Sequence, residues 1–281
     1  MNILVTFDEN YAAPFKTMLK SLSINNAGED IIVYLLYSEK DIKQETLEDL
    51  IRYCASYGVV FKPCIIDDEI FAKYKVNKHY SSAMYYRLLA SEFLPEDIDR
   101  IIYLDPDILV INSLSSLWEL ELVGDKIFAA ASHTEAFTDS INMIRLNTET
   151  EYFNTGVLLM DLKGIRDKIS FEDLIREIEE VDSFLILPDQ DIFNVLFSDV
   201  TYSIPDEIWN YDARYYGRYL KQSNREYDLD WVMKNTVILH FCGKKKPWNT
   251  KNINTKFDSL YKHYMRLENP FKKLKDVLIK E

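Results

Sequence analysis

The chain has 281 residues, 47% of them hydrophobic and 28% charged, which is enough apolar material for a sizeable core and unlike a disordered, collagenous or coiled-coil chain. A net charge of −13 argues against a general nucleic-acid binder. Cys54, Cys64 and Cys242 lack metal-site spacing and read as reduced thiols of a cytoplasmic protein, with no basic-then-apolar leader and no apolar run of membrane-spanning length.

Residues 3–7 form an apolar run of strand length, closed by the polar cluster Asp8-Glu9-Asn10. Phe15, Leu19 and Leu22 then recur at helical spacing behind Pro14, which a first helical turn tolerates. Residues 31–37 read as a second buried strand, Leu47, Leu50, Ile51 and Cys54 as one face of a helix, and residues 59–66 as a third strand. The pattern predicts a helix over residues 84–93 that stops at Pro95, then β-rich pieces at 100–104 and 108–111 around an acidic turn. Farther on, residues 128–131 and 153–160 read as strands, 171–181 as a helix, and Pro188 followed by Asp189 as a helix start. Residues 205–235, rich in Trp, Tyr and Arg, fit neither period.

Strand–helix alternation from the first residue predicts an α/β fold whose parallel sheet is covered on both faces, with ligands beyond the carboxyl ends of the strands. The polar clusters after the first strand and after Leu104 both fall at such ends, so they are expected to share one cleft. No repeat or linker-like stretch divides the chain. We expect one domain over residues 1–250 and a basic helical extension over 251–281.

That extension belongs to an asymmetric charge distribution. Residues 1–239 carry 22 basic and 42 acidic side chains, whereas residues 240–281 carry 11 and 4, so a basic end meets an acidic body and suits a phosphate or an acidic lipid. Within it Phe271, Leu274, Val277 and Leu278 share a helical face, with Lys272, Lys273, Lys275 and Lys280 elsewhere around it. Such a helix could lie on an anionic bilayer or dock on the protein's own acidic surface, docking being the first expectation.

Two segments carry chemistry. Asp105-Pro106-Asp107 puts two carboxylates between apolar runs. Desolvating two like charges one residue apart is costly without a cation, and in a turn or extended geometry both can reach one divalent ion. A plain turn with Pro at its second position is the alternative, and the buried-strand flanks favour the metal. His240-Phe-Cys-Gly-Lys-Lys-Lys-Pro-Trp248 follows the apolar run 237–239. A histidine ending a buried strand is commonly a core residue, but Gly243 and three lysines beside it concentrate positive charge as a diphosphate site requires.

These segments make the chain resemble glycosyltransferase family 8, the group that includes glycogenin and the bacterial lipopolysaccharide galactosyl- and glucosyltransferases, across residues 1–250. Phe7-Asp8-Glu9-Asn10-Tyr11 is similar to the family's uridine-binding start, which implies Asp8 and Asn10 on the base or ribose and Tyr11 stacked on uracil. Tyr86-Arg87-Leu88 resembles the segment that supplies an arginine to the donor. Tyr103-Leu104-Asp105-Pro106-Asp107 matches the metal motif, with Pro106 in place of the usual aliphatic residue or serine. Phe153-Asn154-Thr155-Gly156-Val157 is similar to the segment whose asparagine, here Asn154, lies near the transferred sugar. Asp189-Gln190-Asp191 resembles the motif at the reacting face, and His240 through Trp248 the third metal ligand and phosphate-binding lid, with Gly243 and Lys246 at the matching positions.

The resemblance implies a single Rossmann-like, GT-A-type nucleotide-sugar-binding domain with a mixed, mostly parallel sheet. It further implies a retaining transfer of a hexose from UDP-glucose or UDP-galactose to a glycan, lipid-linked or protein acceptor. Asp105, Asp107 and His240 would share one divalent ion, Mn2+ ahead of Mg2+ because of the imidazole, with Asp105 also touching the donor. Gln190 stands where a double displacement would need a nucleophile, and an amide is a poor one. A front-face route is therefore expected, in which the leaving diphosphate takes the acceptor's proton while Asp189 and Asp191 position the sugar or support the site. Acceptor contacts are expected in residues 66–83, 133–150 and 205–235.

Taken singly, Arg87 reads as a surface arginine, Tyr11 as core packing, Asn154 as a strand-start residue and Asp189 as a helix cap. Two rival classes are a nucleotidyltransferase or nucleotide-sugar pyrophosphorylase, against which the acidic first turn speaks, and a non-catalytic UDP-sugar-binding protein, against which the carboxylate pair, His240 and Lys246 speak. Action in the cytoplasm is expected, with peripheral contact at the inner face of the membrane through the C-terminus; a homo-oligomer is left open.

Overall fold

The computed structural model describes residues 1–67, 86–132, 142–146, 148–181 and 188–270, the side chains of 177–181 and 188–189 excepted. The expected acceptor loops 66–83 and 133–150 lie largely outside these residues, as does the whole C-terminal face carrying Phe271, Leu274, Val277 and Leu278.

The apolar runs become strands: β1 (Asn2–Thr6), β2 (Ile32–Tyr37), β3 (Val60–Ile65), β4 (Arg100–Leu104), β5 (Ile108–Val110), β6 (Phe128–Ser132), β7 (Phe153–Asp161), β8 (Thr201–Ser203), β9 (Tyr211–Asp212) and β10 (Ile238–His240). Among the described residues, the helices of seven residues or more are α1 (Ala12–Asn25), α2 (Gln44–Ser56), α3 (Leu162–Lys168), α4 (Phe171–Val181), α5 (Pro188–Phe197), α6 (Tyr216–Gln222), α7 (Leu229–Asn235) and α8 (Asp258–Arg266). Of the helix expected over 84–93, residues 87–89 form a turn and Ala90–Phe93 a single helical turn. Leu94 is already extended there, as a residue ahead of proline tends to be.

Seven strands form one sheet in the order β3-β2-β1-β4-β7-β6-β8. β3, β2, β1 and β4 are parallel, and the order reverses direction between β1 and β4, which opens a crevice at their carboxyl ends. Ile3, Leu4 and Val5 are fully buried because helices cover both faces. The sheet is mixed: β7 runs antiparallel to both β4 and β6. Its register against β6 slips between Ala130 and Ala131, from Leu158 to Asn154. That irregularity leaves Gly156 beside the crevice, where its carbonyl accepts the Asp105 N–H at 2.8 Å.

The apolar residues after Asp107 leave this sheet. β5 pairs antiparallel with β10, which pairs with β9, in a separate three-stranded sheet. α1 joins the two sheets. Phe15, Met18, Leu19 and Leu22 are fully buried, each at about 1.5–3 kcal/mol of transfer free energy, and the Ser21 hydroxyl accepts the Val110 N–H at 3.0 Å. α8 packs against α1: the Lys20 ammonium donates to the carbonyls of Met265 (3.3 Å) and Leu267 (2.7 Å) at the end of α8, a favourable place for a cation. Phe257 and Tyr261 fill the core beneath β9 and β10. Among the described residues no helix is long and apolar enough to cross a membrane.

Candidate active site

The strand registers bring three ligand-type side chains together. Asp105 follows β4 directly, and Asp107 precedes β5. Because β10 pairs antiparallel with β5, His240 lies opposite Ile108, and the Phe241 N–H donates to the Asp107 carbonyl at 3.1 Å. The imidazole Nε2 is 3.3 Å from Asp107 Oδ1 and 3.8 Å from Asp105 Oδ2. Ligand atoms of Asp105, Asp107 and His240 all lie within 4.8 Å of one another.

Each member is held from behind. Asp105 Oδ1 accepts the Tyr103 hydroxyl at 2.6 Å and an Arg87 N–H at 3.3 Å. Arg87 also donates to the Thr155 carbonyl at 2.9 Å and packs over the Tyr103 ring at 4.6 Å. Lys246 donates to Asp107 Oδ2 and, at 2.8 Å, to the Phe241 carbonyl. Burial pushes the Asp105 carboxyl above its ordinary value, and the neighbouring Asp107 adds to this against Arg87 and His240. For Asp107, burial acts upward too, but His240 and Lys246 outweigh it and hold the carboxyl well below the usual carboxylate range.

This donor set fits a divalent cation. Two carboxylates and an imidazole converge, and burial, with Asp107 alongside, raises the Asp105 carboxyl even with Arg87 beside it, so a cation there would favour the ionised form. The space around them is kept by Gly156: a Cβ there would come within 2.3 Å of His240 Cε1 and 2.8 Å of Asp105 Oδ2.

The other expected residues fall around this centre. Tyr11 meets Trp248 edge-on at 5.9 Å, and its hydroxyl, raised chiefly by burial, also feels Asp107, Asp105 and Asp8. Asp8 ends the β1 side of the crevice. Its carboxylate accepts the Asn10 backbone N–H at 3.0 Å and the Asn10 side-chain amide at 3.2 Å, which fixes the short turn Glu9–Tyr11. Gly243 has φ +81°, and a Cβ there would meet the Arg214 guanidinium at 2.9 Å, so the turn carrying Lys246 requires glycine. Asn154 donates to Gln190 Oε1 at 3.1 Å, and Asn194 clamps Phe153 to α5 through both its backbone groups. Asp191 is fully buried and engaged by Arg145 through two bonds of 2.7 and 2.8 Å and by the Tyr152 hydroxyl at 2.6 Å. Asp189 starts α5, and its side chain is outside the described residues.

Residues 2–252 match the family described as Glycosyl transferase family 8. The chain belongs to glycosyl transferase family 8. General stress protein A of Bacillus subtilis (strain 168) is 29% identical over 94% of this chain and 93% of its own length. A lipopolysaccharide 1,2-glucosyltransferase of Escherichia coli (strain K12) is 30% identical over 96% of this chain and 78% of its own. Among solved structures, the galactosyltransferase LgtC in complex with donor and acceptor sugar analogs superposes with a TM-score of 0.76 at 25% identity, covering 94% of this chain and 95% of that one. The fold of this family 8 glycosyltransferase is therefore GT-A, with the mixed, mostly parallel sheet that the resemblance implied.

Several residues of the site carried no sequence signal. Asn210, fully buried, bonds the His240 imidazole at 2.8 Å from within the stretch that fitted no period. Arg145 and Tyr152 meet the site at Asp191. Arg87, which reads as a surface arginine in isolation, is buried because its partners arrive from β4 and β7.

Proposed function

We propose that this glycosyltransferase is a retaining hexosyltransferase that moves glucose or galactose from a UDP-sugar to a glycan, lipid-linked or protein acceptor. Asp105, Asp107 and His240 would hold one divalent ion, Mn2+ or Mg2+. The observation that carries the reading is the convergence of these three ligands beside Lys246, where the sheet order reverses. When bound, such an ion supplies Lewis acidity to a departing diphosphate.

The chain's own groups account for the remaining requirements. Lys246, on a turn shaped by Gly243, supplies a fixed positive charge, and Trp248 under its ammonium at 5.7 Å gives that turn an apolar floor. Asp8, Asn10 and Tyr11 offer acceptors, an amide and a ring to a uracil and its ribose. Arg87 steadies Asp105. Asn154 and Gln190 are bonded to each other as neutral amides, which supports sugar positioning and a front-face route over attack by Gln190. Relatives named as lipopolysaccharide 1,2-glucosyltransferase and lipopolysaccharide 1,3-galactosyltransferase support both the hexose and an envelope-glycan acceptor. Three unpaired thiols support a cytoplasmic site of action.

Calorimetry with UDP, ADP and GDP in Mn2+ tests the nucleotide. UDP is expected to bind at least about tenfold more tightly than either purine nucleotide, roughly 1.4 kcal/mol. Equal affinities would mean that the phosphates alone are read and would contradict a uridine site at Asp8 and Asn10.

A further inference from the structure

Two side-chain amides, the buried Asn210 and the half-buried Asn154, link the His240 ring to Gln190, and one backbone group sets the direction of every bond in the series. The Gly156 N–H, which can only donate, lies 3.0 Å from Asn154 Oδ1. The Asn154 oxygen is thereby fixed as an acceptor, and it also accepts from Asn210 Nδ2 at 2.9 Å. Asn210 must then present its own oxygen to His240 Nδ1, at 2.8 Å. An amide oxygen cannot donate, so Nδ1 carries a proton, and Nε2 is the ring nitrogen that faces Asp105 and Asp107, available there as a lone pair when the ring is neutral. In the other direction Asn154 Nδ2 donates to Gln190 Oε1 at 3.1 Å. Gln190 hydrogen-bonds the Tyr152 hydroxyl, which donates to Asp191, the partner of Arg145.

We propose that Asn210 is a positioning residue: it locks His240 in the Nδ1–H tautomer with Nε2 aimed at the carboxylate pair, and it ties that ring through Asn154 to Gln190. The inference rests on the reading of Asp105, Asp107 and His240 as a metal site. A group that takes the far N–H of a metal-binding histidine fixes both ring orientation and ligand basicity, and its loss typically lowers metal affinity about 10–100-fold. Asn210 has no exposed surface and spans β9 and β10 from the turn before β9, so it contributes through the bonds it makes to His240 and Asn154.

Two readouts test this without relying on turnover alone. The first is nitrogen NMR of wild-type protein at a pH where the His240 ring is neutral, where the proton is expected on Nδ1; a proton on Nε2 overturns the inference. This measurement needs no variant and so survives any folding failure. The second is Mn2+ alone, titrated by electron paramagnetic resonance into wild type, Asn210→Ala and Asn210→Asp. Asn210→Ala is expected to lose about 10–100-fold in affinity. Asn210→Asp keeps an acceptor for Nδ1–H and is expected to restore affinity, yet it cannot donate to Asn154, so its UDP-sugar hydrolysis stays low. Wild-type affinity in Asn210→Ala overturns the inference and leaves the metal reading standing. Failure of wild type to bind Mn2+, with Nδ1 protonated, overturns the metal reading and leaves the tautomer lock in place without a metal role.

Discussion

Asp107→Asn is expected to abolish metal-dependent donor turnover while leaving the fold standing. Asp107 is 7% exposed and is the carboxylate of the site that touches both His240 and Lys246, with Oδ1 at 3.3 Å from His240 Nε2 and Oδ2 on Lys246. The substitution keeps shape and removes charge, so the packing around β5 and β10 has no reason to change. Removing one partner of a buried ion pair costs up to about 3–5 kcal/mol, but the amide oxygen of the substitute still accepts from Lys246, which keeps the folding cost below that ceiling. The loss falls on the site. One fewer charged ligand is expected to remove at least about 2.7–4 kcal/mol of transition-state stabilisation, a drop of 100- to 1,000-fold or more in UDP release. Circular dichroism alongside an Mn2+-dependent UDP-release assay checks both halves. Full activity of the variant in chelator would remove the metal from the account.

Gly156→Ala is expected to damage the same centre from the opposite side. A Cβ at position 156 would lie 2.3 Å from His240 Cε1, 2.9 Å from His240 Nδ1 and 2.8 Å from Asp105 Oδ2. Neither neighbour is free to yield. His240 is held by Asn210 at 2.8 Å, and Asp105 by Tyr103 at 2.6 Å and Arg87 at 3.3 Å. Overpacking of this kind costs about 1–3 kcal/mol of stability. Its larger consequence is geometric: whichever ligand gives way leaves the convergent set, so Mn2+ affinity falls at least about tenfold, on the scale of a disrupted ligand environment. Mn2+ titration together with a thermal melt separates the two effects. A variant that melts lower but binds Mn2+ as tightly as wild type would show that the close approach serves packing alone.

The elements that could be read from the sequence are those whose signal is local. The runs that became β1 and β2 are largely apolar because both faces of the sheet are covered there, whereas β3, at the sheet edge, carries Lys62 and leaves Val60 and Ile65 exposed; the bounds of α4 and the start of α5 at Pro188 follow from periodicity and proline. Strand direction is not local. Nothing in Phe153–Asp161 says that β7 runs against its neighbours, and nothing in Ile108–Val110 says that β5 leaves the main sheet to meet β10. The site divides in the same way. The two aspartates announce themselves because acidic residues between buried strands need a reason. His240 needed its lysine-rich sequel, and Asn210, a single asparagine after Trp209, offered nothing until β9 and β10 brought it to the imidazole. Asp189, Gln190 and Asp191 are adjacent in sequence, yet Gln190 joins the amide series while Asp191 is buried against Arg145.

The most direct test of the account is product release from UDP-glucose and UDP-galactose incubated with the purified protein in Mn2+ and, in parallel, in EDTA. Slow hydrolysis reports the donor without knowledge of the acceptor. The account predicts UDP from at least one of the two sugars in Mn2+ and its loss in EDTA. Release of pyrophosphate, or UDP formation at the same rate in EDTA, would contradict it.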